Sequence, residues 1–470
     1  MRELAMTFGS SGGPNITHEH PEYVAKRVMW RRYRDLYAGG EQFIANANQY
    51  LVRRQKEPGD VYLERLSRSF YENYVGSIVD WYTATLFRRE PAVSFEGNNE
   101  GSKKFFSAFA EDCDRKGTSL FEFFRRQFVE ALVCGKSLIL IDFPRVKEAR
   151  GTRAEEDESG VSRAYLVSYA ADELINWSYD ERGQYEWVVL RTQSLRRRRL
   201  DDTGWCQETR WVYYDKEQFR IYEQVEEGGK PGTVEVIAEG RHGLAKLGRV
   251  PLVELQVSDG LWLLNKAASL QLEHFNKSNA LGWALTMGLF AMPVIYSERD
   301  WDQLIGESYY IQLGPQDRFG WTEPQGTVYQ IAADNLTRLQ EEIYRVCYVS
   351  HAGGALSGGS KQSGVSKQRD YAITQEVLRA YGDAVKDCMK RVVRAVEAAR
   401  EDGLSIDISG MDEFDIGDLG TVLEDARLLL SLGIPSPTLK KQVFKKLAFQ
   451  FLCDVRQEVK ERVGREIDQE

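Results

Sequence analysis

Apolar residues recur every three or four positions over most of the chain. Between about 165 and 255 they alternate instead, so the pattern predicts helices on both sides of a β-rich middle. Pro21 opens a helix carrying Tyr23, Val24, Val28, Tyr33 and Leu36, dotted with Arg27, Arg31, Arg32 and Arg34. Over 60–88, Leu63, Leu66, Phe70, Tyr74, Ile78, Tyr82 and Leu86 share one face, predicting a single helix. It closes at Arg88-Arg89-Glu90-Pro91, because the residue before a proline avoids the helical region. Ala92–Phe95 reads as a short strand, 102–135 as a helix with a phenylalanine core, and Ser137–Phe143 as a buried strand stopped by Pro144.

The alternating part is Tyr165–Tyr169, Tyr185–Thr192, Glu208–Tyr214, Gln218–Gln224 and Thr233–Ala238, separated by Asp- and Gly-rich turns. That predicts an antiparallel meander. From Asp259 an apolar stripe runs to Pro293, a helix of roughly 50 Å. Short strands are expected at Val294–Tyr296, Tyr309–Leu313 and Val328–Ile331, then a helix over Leu336–Val349. Asp370–Arg400 holds one stripe from Ile373 to Ala399, and Gly403 stops it. Val422–Leu432 is a further helix. Ser436-Pro437 then supplies an N-cap and a first-position proline for a last helix carrying Val443, Leu447, Phe451, Val455 and Val459. The expected fold class is mixed α+β, mainly α.

Between two helical patterns lies His351–Gln368, HAGGALSGGSKQSGVSKQ, with five glycines, four serines, two lysines and no acid. Such a run predicts a mobile loop, and a long loop inside a compact domain tends to be functional. Its cations, Lys361 and Lys367, stand in a chain of 470 residues whose net charge is −9. Contact with nucleic acid is therefore expected to be local, not global.

No catalytic constellation, metal site or cofactor signature emerges. Gly135-Lys136-Ser137 ends like a phosphate loop, but Glu130 stands where the loop needs glycine, and the order is helix–turn–strand. His18, Glu19 and His20 are too close for a zinc helix and read as a solvated terminus. His274 reads as a packing residue. Arg196, Arg197, Arg198 and Arg199 sit beside a turn, either as a solvated hairpin tip or as a contact for an anion. The six cysteines are dispersed, which suits reduced thiols, and residues 1–13 lack the apolar core of a signal peptide. Ala280–Tyr296 is apolar but short for a membrane span and contains Pro293, so a helix covered by protein is expected, with no membrane partner.

In order and spacing, several segments resemble portal proteins of tailed bacteriophages, over roughly 20–450. They are Tyr71–Asp80 leading to Arg89-Glu90-Pro91, Gly117-Thr118-Ser119-Leu120, Ala131–Gly135 with Leu140–Pro144, Gly248–Leu252, and Leu432–Thr438. The resemblance implies a ring, usually a dodecamer, at one capsid vertex. Double-stranded DNA would be packaged and ejected through it. Major capsid protein, terminase and a head–tail adaptor would be partners, the location would be the virion after assembly in host cytoplasm, and the chain would have no enzymatic activity. In its terms 1–257 is the N-terminal region and wing, 258–292 and 335–350 are stem helices, and 293–334 is the clip. Residues 351–368 would be the tunnel loop, 369–410 a long wing helix and 411–470 the crown. Gly358, Gly359, Lys361, Gln362, Ser363 and Lys367 would then face DNA. Two other readings predict different behaviour: an enzyme acting on nucleic acid or nucleotide with 351–368 as a lid, and a membrane-associated protein using 280–296.

Overall fold

The computed structural model describes residues 15–88, 90–96, 100–144, 163–196, 205–227, 230–288, 292–297, 315–322, 326–349, 364–411, 419–432, 435–451, 459, 462–464 and 466–467. Helices are α1 Pro21–Ala38, α2 Gly40–Ala45, α3 Gly59–Ser67, α4 Tyr74–Leu86, α5 Glu100–Glu111, α6 Leu120–Cys134, α7 Leu263–Gly288, α8 Gly326–Val346, α9 Gly364–Arg400, α10 Leu419–Ser431 and α11 Pro437–Phe451. Strands are β1 Ala92–Glu96, β2 Lys136–Asp142, β3 Tyr165–Tyr169, β4 Leu174–Tyr179, β5 Tyr185–Arg196, β6 Cys206–Asp215, β7 Gln218–Glu227, β8 Lys230–Pro231, β9 Glu235–Arg241, β10 Leu252–Gln256, β11 Met292–Tyr296, β12 Arg318–Thr322 and β13 Ser405–Ser409. The chain divides into two compact units, one of 1–34, 77–265 and 359–470, the other of 35–76 and 266–358.

In the first unit, the SLILI run becomes the central strand of a three-stranded antiparallel sheet, β10-β2-β3. It is buried from Ser137 to Ile141, which explains why it shows no alternation. β3 therefore leaves the expected meander and pairs with β2, Leu140 opposite Val167. The meander itself is β4-β5-β6-β7, with β8 and β9 both pairing β7. β4 escaped the sequence pattern because Leu174, Ile175 and Trp177 are all buried.

Helix α6 begins at Ser119, whose Oγ accepts the Glu122 N–H at 3.2 Å, and ends at left-handed Gly135. The expected helix over 102–135 is thus two helices. Asp112 and Asp114 side chains take the Gly117, Lys116 and Thr118 amides, building a turn that competes with helix. Helix α9 lays Val385, Cys388, Val392 and Val396 into the core and packs on β10 and β13. Its Tyr381 is fully buried against the rings of Tyr82 and Phe128, its hydroxyl donating to Leu261 O at 2.5 Å. Gly382 is needed because a Cβ there would meet Met411 O at 2.1 Å. Burial pushes the Cys388 thiol up to about 12, so it is unreactive packing.

In the second unit, α7 uses side-chain amides where the sequence reading saw only an apolar stripe. Asn276 donates to Tyr50 O and accepts Val52 N–H. Gln271 donates to Glu72 O and accepts Val75 N–H. Asn279 donates to Phe70 O at 2.9 Å and accepts Phe70 N–H at 3.0 Å. Each amide stands in for a missing backbone partner along irregular segments. This is also why the expected single helix over 60–88 breaks into α3 and α4: residues 68–73 are held by α7, and Asn73 Oδ1 accepts the Gly76 N–H. Asn279→Ala leaves the backbone N–H and C=O of Phe70 without these two bonds. It should cost about 1–3 kcal/mol in a urea titration, whereas Asn279→Asp should recover only the accepting half.

Candidate functional site

Three polar contacts tie α7 to α8 and the turn that ends it, in one antiparallel register. Lys266 Nζ donates to Tyr348 OH, Lys277 Nζ to Asn335 Oδ1, and Tyr329 OH to the Ala284 carbonyl. The strand pair β11–β12 continues it, Met292 opposite Thr322 and Tyr296 opposite Arg318. All of these pairs are centred close to residue 307. Within the second unit, the described residues of 266–348 therefore form a long hairpin, helical at its base and β at its far end. Sequence reasoning placed a strand at Val328–Ile331 and began the helix at Leu336; α8 instead starts at Gly326. Val328 and Ile331 lie one helical turn apart and are 66% and 65% exposed, so a two-residue apolar signal was read with the wrong period. Tyr309–Leu313 lies outside the described residues. Helix α7 ends at Gly288, short of the expected Pro293, which instead sits in β11.

The hairpin returns to the glycine- and serine-rich stretch through a tight stop. Val349 N–H bonds Tyr344 O and Tyr348 N–H bonds Arg345 O, both at 3.1 Å, with Tyr348 left-handed at φ 59°. This pairing is the usual glycine-dependent helix end, here made with a tyrosine. Lys266 Nζ sits 4.2 Å from the Tyr348 ring centroid, which holds the unusual conformation in place. Cys347 beneath it is buried, its thiol pushed up to about 12. Gly358, Gly359, Lys361, Gln362 and Ser363 lie outside the described residues, as does His351. The expected loop is cut short at its far end, since α9 starts at Gly364, and Lys367 belongs to that helix's first turn.

Arg196 closes the β5–β6 ladder opposite Cys206. Its Nη1 lies 3.2 Å from Glu208 Oε2, while Arg210 Nε lies 2.8 Å from Glu208 Oε1. Glu208 is buried, so both cations neutralise a carboxylate of their own sheet. Arg197, Arg198 and Arg199 lie outside the described residues. Beside Arg196, Leu195 and Trp205 are both more than two-thirds exposed.

The Gly-Lys-Ser triplet is a helix end. Gly135 N–H bonds Ala131 O, and a Cβ there would touch the Trp262 ring at 3.0 Å. Lys136 is engaged by Glu254 at 3.1 Å. The 18–20 segment departs from the expected solvated terminus: His20 stacks on Trp177 at 4.0 Å, its N–H bonds Ile175 O, and Glu19 pairs with Arg27 and Arg191. That segment covers the free edge of β4. His274 is buried 3.5 Å from Glu72 and edge-on to Tyr74, and burial holds its imidazole below the usual range. Among the described residues no group of His, Cys, Asp and Glu is placed to hold a metal, and no helix is long and apolar enough to cross a membrane.

No family model matches this chain. No curated protein matches it either. Solved structures do. A chain from the neck of an empty GTA particle computed with C6 symmetry is 13% identical, with a TM-score of 0.41, covering 82% of this chain and 92% of that one. A chain from the virion of the native gene transfer agent (GTA) particle is 12% identical, with a TM-score of 0.38, covering 83% and 94%. A chain from the neck of the native GTA particle computed with C12 symmetry is 12% identical, with a TM-score of 0.37 and the same coverage.

Proposed function

We propose that this chain is a portal subunit: many copies, usually twelve in the family it resembles, close into a ring at one capsid vertex, and double-stranded DNA passes through. The observation that carries the reading is the antiparallel helical hairpin centred near residue 307, tipped by a strand pair and followed directly by the basic glycine- and serine-rich stretch. That is the stem, clip, stem and tunnel-loop order that the sequence resemblance implies. The β tip would dock terminase during packaging and the head–tail adaptor afterwards, the capsid protein would surround the ring, and the subunit itself would do no chemistry.

Physics supports the same arrangement. Leu285, Val328 and Ile331 leave apolar surface on the hairpin, which neighbouring copies in a ring would cover. A moving duplex has to be held weakly, since each phosphate neutralised adds a salt-dependent increment of affinity. Lys361 and Lys367 on an acidic chain give each copy a shallow attraction, repeated around the axis. Light scattering and negative-stain imaging of the purified chain should show closed rings. A clean monomer at micromolar concentration, in both low and high salt, would contradict the proposal.

A further inference from the structure

The first unit contains a groove of about 840 Å³ between the start of β5, residues 244–254, the last turns of α9 and the start of β13. Leu247, Val250, Leu252, Ala398 and Ile406 form the apolar part of its walls, and the stacked rings of Tyr179 and Tyr185 stand at one side, 4.9 Å apart. Arg249, Arg391 and Arg394 line it as well. Its acids are already occupied. Glu254 accepts from Lys136 and from the Tyr185 hydroxyl, Glu397 accepts the Gly403 N–H at 2.9 Å, and nearby Asp407 pairs with Lys390 at 2.9 Å. Arg391 donates to the Glu254 carbonyl. Among the described residues, Arg249 and Arg394 make no hydrogen bond or ion pair, although Arg394 feels the field of Asp407. The spare charge is positive and apolar side chains stand beside it, so the complementary ligand is a peptide carrying both carboxylates and apolar side chains.

The chain holds such a segment outside the described residues: Asp412-Glu413-Phe414-Asp415-Ile416-Gly417-Asp418, four acids with Phe and Ile between them. We propose that the groove receives this segment from a second copy of the chain. Within one copy the backbone departs from the groove at Ile406, passes Lys390 at Asp407 and reaches Gly382 at Met411. That is about 18 Å back along α9 from Arg394. The inference rests on the ring reading only for the supply of a neighbour; the groove's chemistry is tested separately.

A labelled synthetic peptide of residues 411–419 should bind saturably to the full chain in which Asp412, Glu413, Asp415 and Asp418 are changed to Asn or Gln, so that no neighbouring segment fills the groove. Arg249→Glu with Arg394→Glu should weaken it at least tenfold, and so should changing the peptide's acids to Asn and Gln. Unchanged folding of the double variant, followed by circular dichroism, guards the comparison. No binding, or binding indifferent to both changes, overturns the groove assignment. The source is then fixed by oxidising the full chain carrying Arg394→Cys and Ile416→Cys. A ladder of covalent multimers on a non-reducing gel, absent from either single variant, is the expected result. A cross-linked monomer, or no cross-link, overturns the neighbour. A chain that is monomeric in solution but still binds the peptide removes the ring and leaves the groove.

Discussion

Arg400→Met should lower the folding free energy by about 3–5 kcal/mol, because it takes the cation from a buried pair and leaves the carboxylate behind. Arg400 Nε lies 2.8 Å from Asp402 Oδ2, with the two side chains 8% and 1% exposed. Ser102 donates to Asp402 Oδ1 at 2.8 Å, and the guanidinium sits 3.5 Å from the Phe105 ring centroid. One pair thus fastens the end of α9 to the start of α5. The methionine stem keeps most of the packing on Phe105, so the loss should report charge. Guanidinium titration followed by circular dichroism measures it. Adding Asp402→Asn should recover part of the loss. An unshifted midpoint in the single variant would show that the pair contributes nothing to holding α9.

The second large effect is functional. Changing Lys361 and Lys367 together to glutamate turns two positive charges per copy into two negative ones, without touching the described core. Ring assembly should proceed unchanged. DNA packaged or retained per particle should fall on the order of tenfold, because repulsion acts on every phosphate that passes and the ring multiplies it. Quantitative assay of protected DNA in assembled particles reads this out. Normal packaging by the double variant would remove the stretch from the translocation path.

Long elements with one buried face were legible in the sequence. The stripes from Pro21, over Tyr74–Leu86 and from Ile373 gave α1, α4 and α9, although Val24, Val28 and Ile373 of those stripes are exposed, and the aromatic alternation gave β5, β6 and β7. The breaks were not legible, because they depend on partners far away in sequence. Residues 68–73 leave the helix for the amides of Gln271 and Asn279, and a periodicity count has no access to that exchange. β3 left the meander for β2 because strand pairing is a tertiary choice. The helix expected over Val422–Leu432 is α10, and α11 begins at Pro437 with Ser436 Oγ accepting the Leu439 N–H, as the Ser-Pro signal predicted. Of the candidate site, the hairpin was visible as two apolar stripes about a turn-rich insert. Its register was not, since it is written in Lys266 and Lys277, which lie off the apolar stripe, and in Tyr329, which the pattern put in a strand.

A cryo-electron microscopy reconstruction of the assembled protein tests the tunnel directly. Copies should close around a hole, with residues 351–363 of each copy turned toward the axis at DNA-width spacing and the strand pair β11–β12 at one end. A ring that carries 351–363 on its outer rim, or an assembly with no central passage, would contradict it.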